Sequence, residues 1–334
     1  MKVLVCGGAG YIGSHTVKEL LAEGYPVVVL DNLSTGKKQL LMGGEFILAD
    51  LLDKESIQSV FRSHSIGAVL HFASLIQVGE SYVDPHKYYR HNLLSTLNLL
   101  EAMLEAGVKK LIFSSSAAVY GIPLEIPLPE SHPLNPVNPY GHSKFFIERI
   151  LRDYENAYGL RYISLRYFNA AGADPEGKLG EMHDPETHLI PNLLLFLLGR
   201  KKAFYLYGQD FPTPDGTAIR DYIHVTDLAR AHVLALRRLI DTERSDIFNL
   251  GTNQGYSVLE VIHAVEKVTG QCVDYQPRPR RQGDVPILLA SKDKAEQVLG
   301  WTSPHSSLST IIETAWKWHR KQAEQERQER REKG

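Results

Sequence analysis

The amino-acid sequence predicts an α/β fold, a doubly wound parallel sheet with a smaller lobe on its C-terminal side. Three observations predict it. Short, continuously apolar runs recur at residues 3–6, 27–30, 46–49, 68–72, 111–114 and 162–165. Unbroken apolarity, rather than alternation, marks strands covered by helices on both faces, as in parallel sheets. Between the runs lie segments of helical spacing, at about 12–22, 54–61, 91–106 and 143–158; in the third, Leu93, Leu97, Leu100 and Leu104 share one face. Strands alternating with helices imply right-handed crossovers and a doubly wound sheet. After about Ala171 the pattern changes to Gly- and Pro-rich stretches such as 173–185 and 208–216. Helices near 226–240 and 257–268 flank a probable strand at 247–250. The expected division is therefore a first domain over 1–170 and a lobe over 171–334, with about 220–250 returning to the first domain.

Composition narrows the function classes. Of 334 residues, 43% are apolar and 23% charged, which is ordinary for a globular enzyme and excludes disorder over most of the chain. The net charge is −2, so no strong field favours nucleic acid or an anionic membrane. The two cysteines, Cys6 and Cys272, exclude a disulfide framework. The apolar run 189–198 is about half the ~20 residues a spanning helix needs. After Met1-Lys2 only four apolar residues precede Gly7, too few for a secretory core of about 7–15. The expectation is a cytoplasmic protein with no membrane and no nucleic-acid partner. Residues 320–334 are mixed charge with almost nothing to bury, and read as a solvated helix end.

The first crossover carries the strongest motif. The strand at 3–6 runs into Gly7-Gly8-Ala9-Gly10-Tyr11-Ile12-Gly13, and a helix follows. A tight turn there needs residues without Cβ, the backbone must approach a pyrophosphate closely, and the helix N-terminus offers free N–H groups. The second strand ends in Asp31, 18 residues past Gly13, where a carboxylate accepts ribose hydroxyls and repels a 2′-phosphate. This Rossmann-like arrangement predicts NAD rather than NADP; Lys37 and Lys38 downstream read as solvated loop lysines. Asp50, after the third strand, reads either as an adenine contact or as the N-cap of the next helix.

A second constellation follows. Pro139-Tyr140-Gly141-His142-Ser143-Lys144 opens the fourth helix and puts Tyr140 and Lys144 four residues apart on one face. A phenol titrates near pH 10, and an adjacent ammonium and an oxidised nicotinamide both favour its ionised form, making Tyr140 a general base. Ser114-Ser115-Ser116 closes a strand at the end where open α/β sheets bind ligands, so Ser116 can relay a proton; alternatively it is a turn serine bonding its own backbone.

Together the glycine loop, the Ser-Ser-Ser-Ala-Ala-Val-Tyr-Gly run at 114–121 and Tyr140-x-x-x-Lys144 resemble extended short-chain dehydrogenase/reductases. Further segments at 71–75, 78–81, 166–169, 215–224 and 281–286 are similar, in order, to UDP-glucose 4-epimerases, up to about Trp301. The resemblance implies Ser116, Tyr140 and Lys144 as catalytic. It implies NAD contacts from Tyr11, Ile12, Asp31, Asn32, Leu33, Ser34, Thr35, Gly36, Asp50, Leu51, Phe72, Ala73, Ser74, Leu75, Ile76 and Phe168, beside Gly7, Gly10 and Gly13. It implies UDP-sugar contacts from Asn169, His188, Leu189, Tyr205, Tyr207, Arg220, Arg281, Asp284 and Leu288, and a homodimer through helices 91–106 and 143–158. Guanidinium forks at Arg220 and Arg281 independently suit a diphosphate.

Departures from the resemblance are Ser74 for a usual glycine, Ile76 for a frequent lysine, His188 for an asparagine, and Leu288 for a bulky tyrosine of some members. The last implies room for N-acetylated sugars. The reaction implied is C4 inversion through a transient 4-keto sugar, with no net redox change. A 4,6-dehydratase would need an acid pair where Ala117 and Ala118 stand; UDP-glucuronate epimerases, a net dehydrogenase and a non-catalytic NAD sensor are the other readings weighed. No metal is expected, since no His-Glu-x-x-His or paired-cysteine spacing occurs. His71, His224 and Cys6 read as core residues.

Overall fold

A computed structural model of the protein describes residues 1–281 and 283–333. The strands are β1 (Lys2–Cys6), β2 (Val27–Asp31), β3 (Glu45–Leu48), β4 (Ile66–His71), β5 (Lys110–Ser116), β6 (Arg161–Tyr167), β7 (Asn169–Ala171), β8 (Phe204–Tyr207), β9 (Ile219–His224), β10 (Asp246–Leu250), β11 (Gly255–Ser257), β12 (Tyr275–Arg278) and β13 (Ile287–Leu288). A seven-stranded parallel sheet runs in the order β10-β6-β5-β4-β1-β2-β3. Strand order reverses beside β1, which is where ligands bind at the carboxyl ends of such sheets.

Alternation along β1 splits the core into two layers. Val3 and Val5 join Val17, Leu20, Leu228 and Trp301 on one face. Leu4 and Cys6 join Ile57, Leu100 and Ile147 on the other. The helices supplying these layers are α1 (Tyr11–Ala22), α2 (Lys54–Ser63), α3 (Val78–Val83), α4 (Pro85–Tyr89), α5 (Ser95–Glu105), α6 (Pro139–Tyr158), α7 (Leu189–Leu197) and α8 (Val225–Thr242). Five of the six sheet strands expected in the first half are buried as read. The exception is β3: it is the edge strand, with Leu48 66% exposed, because nothing pairs beyond it. Short apolar length cannot distinguish an edge strand from a central one.

Local chemistry sets the helix ends that matter for the site. The α6 helix starts at Pro139, four residues earlier than its apolar periodicity suggests. Asn138 caps it, its Oδ1 accepting the Gly141 N–H at 2.7 Å, with Pro139 in the first turn. Gly159 ends it in the left-handed region. Asp53, not Asp50, caps α2, its side chain accepting from Ser56; Asp50 is thus not that helix's cap. The expected helix at 91–106 begins with a π-helical turn, Arg90–Leu94, before α5, a feature that often marks functional positions.

The C-terminal part is richer than the Gly- and Pro-rich sequence suggests. Strands β11, β9 and β13 pair side by side with β7 along β9, and β8 pairs with β12. Against them pack α7, α9 (Val258–Thr269) and α11 (Leu308–Lys333), after α10 (Asp293–Leu299), around Ile190, Leu194, Val261 and Ile311. The strand β10 pairs with β6 in the main sheet, and α8 packs there through Leu228 and Leu236. Helix α11 buries residues as far as Ala323, beyond which Glu324 and Arg327 are exposed. Among the described residues no helix is long and apolar enough to cross a membrane.

Candidate active site

The glycine loop links β1 to α1. Gly7 has φ +79°, and a Cβ there would lie 2.6 Å from the Ala73 nitrogen; at Gly13 a Cβ would meet the Gly7 carbonyl oxygen at 2.2 Å. Only glycine permits this turn and the approach of helix to strand. Asp31 ends β2 directly opposite: its two oxygens accept the Ala9 and Leu33 N–H groups at 2.9 and 2.8 Å. Burial raises its pKa against those bonds, and the lone pairs not used by the backbone are what a ribose diol would occupy. The 32–36 loop closes on the glycine loop through Lys37 N–H to Ala9 O at 2.8 Å, so Asn32, Leu33, Ser34, Thr35 and Gly36 lie beside it. Asp50 receives the Asn32 side-chain amide at 2.9 Å, next to buried Leu51. Lys38 lies over the Phe46 ring at 5.1 Å. Tyr11 donates to Gly172 O at 2.6 Å, while Gly10 and Ile12 flank it.

The 72–76 segment crosses the same edge. Phe72 and Ala73 N–H groups both bond Cys6 O, at 2.8 and 3.1 Å. Leu75 N–H donates to Asn92 Oδ1 at 2.8 Å, and the Asn92 amide reaches Leu75 O and Ser143 Oγ. Asn92 sits in the π-helical turn and is fully buried. The sequence reading missed it, because Asn92 is one of several polar side chains, with Ser95, Thr96 and Asn98, in that leucine-rich helix. Ile76 is 41% exposed.

Ser116, Tyr140 and Lys144 come together at the carboxyl end of β5. Ser116 Oγ accepts the Ala118 N–H at 3.2 Å, the contact of a turn serine, and also hydrogen-bonds Tyr140. Lys144 Nζ donates to Ser74 Oγ and Ser114 O, each at 2.8 Å, and lies 6.0 Å from the Tyr140 ring centre. The departure at Ser74 thus supplies a lysine acceptor. Burial pulls the Lys144 pKa down to about 7, partly opposed by Glu148. Burial also pushes the Tyr140 phenol up, against the Ser116 hydrogen bond. Burial of the pair thus works against the depression of the phenol that an adjacent ammonium favours.

Behind this trio lies a buried ion pair that sequence reading also missed. Glu148, one turn after Lys144, holds Arg166 through both carboxylate oxygens at 2.9 and 2.6 Å and accepts from Ser115 Oγ at 2.6 Å. Tyr120, bonded to Arg166 and Asn249, completes the network. Two unlike charges 18 residues apart carry no periodic signature; only the β6–α6 packing joins them. His71 and His224 are buried, bonding Thr96 and Thr314, with pKa values pulled down to about 3 by burial. Burial raises the Cys6 thiol.

On the lobe side, Arg220 and Arg281 converge on Asp284. Arg281 Nε donates to it at 3.0 Å, and an Arg220 nitrogen lies 3.9 Å from it. Tyr207 stacks under Arg281 with 5.5 Å to the ring centre, and Tyr205 is its ring neighbour. Asn169 bonds Asp221 O at 2.8 Å. Leu288 and Phe168 pack against Val119 and Tyr120, just past Ser116. His188 precedes Leu189, the first residue of α7. Burial lowers the His188 pKa, but Glu181, paired with it, wins and holds it near 9. Glu181, His183 and Glu186 around it were not singled out by sequence; their spacing fits neither a helix face nor a strand face.

A glycine-cradled first crossover, a strand-end acid and a Ser–Tyr–Lys trio at one sheet edge define a nucleotide-cofactor enzyme. A family model described as the NAD dependent epimerase/dehydratase family matches residues 3–251, and the chain belongs to that family. It is 49% identical over 320 residues to the UDP-glucose 4-epimerase of Halalkalibacterium halodurans, 96% of each chain being covered. Among solved structures it is similar to UDP-glucose 4-epimerase from Brucella ovis in complex with NAD, with TM-score 0.92 and 49% identity over 94% of this chain and 97% of that one. It is also similar to the Bifidobacterium longum enzyme in complex with NAD+ and UDP, with TM-score 0.91 and 42% identity over 96% and 98%.

The buried ammonium makes a stability prediction. Unfolded lysine keeps its proton up to about 10.5, while folded Lys144 loses it near 7, so between those values the unfolded chain binds one more proton and stability rises with pH. Below pH 7 the burial penalty is present in full. Urea midpoints of wild type and Lys144→Met, followed from pH 7 to about 10, should therefore shift in favour of wild type, by up to roughly 1.4 kcal/mol per pH unit. A gap that does not move with pH would show that Lys144 is not depressed.

Proposed function

We infer that this chain catalyses the NAD-dependent interconversion of UDP-glucose and UDP-galactose by inverting C4. The observation that carries it is the convergence of Ser116, Tyr140 and Lys144 on the sheet edge that also holds the glycine loop. Relatives at 47–49% identity over nearly the whole chain support the same reading. The residues present fit NAD: the Gly7 and Gly13 cradle leaves no room for a Cβ, and Asp31 stands at the end of β2 where a 2′-phosphate would meet its charge. Gly7, Gly10, Tyr11, Ile12, Gly13, the 31–36 loop, Asp50, Leu51, 72–76 and Phe168 would hold it, mostly from residues 1–170. Bound NAD supplies reversible hydride acceptance, so C4 is oxidised and reduced again with no net redox change.

The chain's own residues manage the proton and the sugar. Tyr140 takes the proton of the 4-hydroxyl as the transient 4-keto sugar forms and returns it to the C4 oxygen once the turned sugar is reduced on its other face. Ser116, already bonded to Tyr140, relays that proton and shares the charge left on the phenol oxygen. Lys144, fixed by Ser74 and Ser114, lowers the cost of that charge whenever it is protonated. Arg220 and Arg281, which share the Asp284 carboxylate, bind the diphosphate while the hexose turns; Tyr205, Tyr207, His188 and Leu189 line the remainder from 171–334, with Asn169 at the end of the first domain. The two cysteines, buried Cys6 and exposed Cys272, are both free and need no oxidising compartment, which suits action in the cytoplasm. Dimerisation is supported by the apolar side chains of Leu94, Leu97 and Phe146, which are 37–43% exposed.

Three expected outcomes follow from this reading. Tyr140→Phe lowers kcat at least roughly hundredfold, the usual loss for an acid–base group; near-wild-type turnover would remove tyrosine from the role, and steady NADH release into solution would favour a net dehydrogenase. Because Leu288 is smaller than tyrosine, UDP-N-acetylglucosamine is turned over beside UDP-glucose, with Leu288→Tyr reducing the acetylated sugar selectively; a wild type confined to UDP-glucose would refute this. Sedimentation at micromolar concentration gives a dimer mass, and a monomer throughout would exclude the pairing through α5 and α6.

A further inference from the structure

Four potential metal ligands converge in the segment before α7, three of them outside the proposed sugar site and the fourth, His188, at its border. The Nδ1 atoms of His183 and His188 both face Oε1 of Glu181, the first at 2.8 Å. Glu186 Oε1 lies 3.6 Å from His188 Nδ1. It is held there by the backbone N–H groups of Thr187 and His188 at 2.7 and 2.8 Å. One donor atom from each residue lies within 4.8 Å of the others. Glu181 is 3% exposed and anchored from behind, where Trp318 Nε1 donates to its carbonyl at 3.1 Å. His183 stands edge-on to the Tyr11 ring, 6.2 Å between centres.

From this arrangement we propose that Glu181, His183, Glu186 and His188 form a binding site for one divalent transition ion of the zinc class. Four ligands about 2.0–2.1 Å from a tetrahedral ion stand roughly 3.4 Å from one another. The present separations lie on both sides of that value, from the close His188–Glu181 contact to pairs within 4.8 Å, so loading moves ligands by about an ångström. Two imidazole nitrogens with two carboxylates favour zinc over magnesium or calcium, which select all-oxygen sets. The charge also fits: a dication balances two carboxylates that burial makes costly, and it replaces the protons shared between these side chains. All four ligands come from the protein, so the site is closed and structural rather than open and catalytic. Its effect is mechanical. It fastens the 181–188 segment between Tyr11 on the glycine loop and Trp318 on α11.

The test uses full-length, tag-free protein stripped with a chelator, dialysed, and exposed to micromolar zinc chloride. Metal analysis should find about one zinc per chain in wild type and in Cys272→Ser, and at least roughly tenfold less in His183→Gln and Glu186→Gln. The melting temperature should rise with zinc in wild type and not in those two variants. Cobalt in place of zinc should give the intense visible spectrum of a tetrahedral ion, a readout that needs no variant to fold. Retention undiminished in His183→Gln and Glu186→Gln would place the ion elsewhere; no retention by wild type, or an octahedral cobalt spectrum, would overturn the site.

Discussion

The active edge depends on an ammonium placed where water cannot reach. Lys144 is 1% exposed, and its Nζ is held by two oxygens from the ends of different strands: Ser114 O on β5 and Ser74 Oγ after β4. A buried cation is costly unless every donor is engaged. That cost forces the strand ends, the 72–76 segment and the first turns of α6 into one relative position. Phe113, with its ring 5.0 Å from Nζ, walls the site. The compensating charge is one turn away in Glu148, itself committed to Arg166. Burial opposes the charge on Lys144 and Glu148 favours it, while the same burial raises the phenol of Tyr140.

The cofactor cradle follows a complementary logic, absence of side chain rather than presence of charge. With no Cβ at Gly7 or Gly13, the loop lies against the backbone of Ala73 and the turn closes on itself. Asp31 then bonds the Ala9 amide of that loop and the Leu33 amide of its own, so the acid proposed to read the ribose also ties the two loops together. Asn92 does the equivalent for the 72–76 segment, tying it to Ser143 on α6. The 72–76 segment is therefore joined to the helix that carries Tyr140.

The lobe meets this edge with guanidinium groups kept apart by Asp284. Two cations sharing one carboxylate retain net positive charge, a resting arrangement that a diphosphate can enter without first breaking a neutral pair. Leu288, on the short strand beside Arg220, packs toward the Tyr120 cluster that begins just past Ser116. Position along β13 thus links the anion site to the catalytic trio.

Much of this was legible in the residues alone, and for a physical reason: local patterns encode what local chemistry requires. Continuous apolar runs and helical spacing reported the parallel sheet; the glycine spacing reported a turn that tolerates no Cβ; Tyr140 and Lys144, four apart, had to share a helical face. What the sequence could not express was set by contacts distant along the chain. That β3 lies at an edge depends on the absence of an outer neighbour. The π-helical turn with Asn92 answers a loop 17 residues earlier. The Glu148–Arg166 pair exists because α6 crosses β6, and Arg220 meets Arg281 only through strand pairing in the lobe. The pKa values of Lys144 and Tyr140 were decided last of all, because the cost of charge depends on how much water the completed fold excludes.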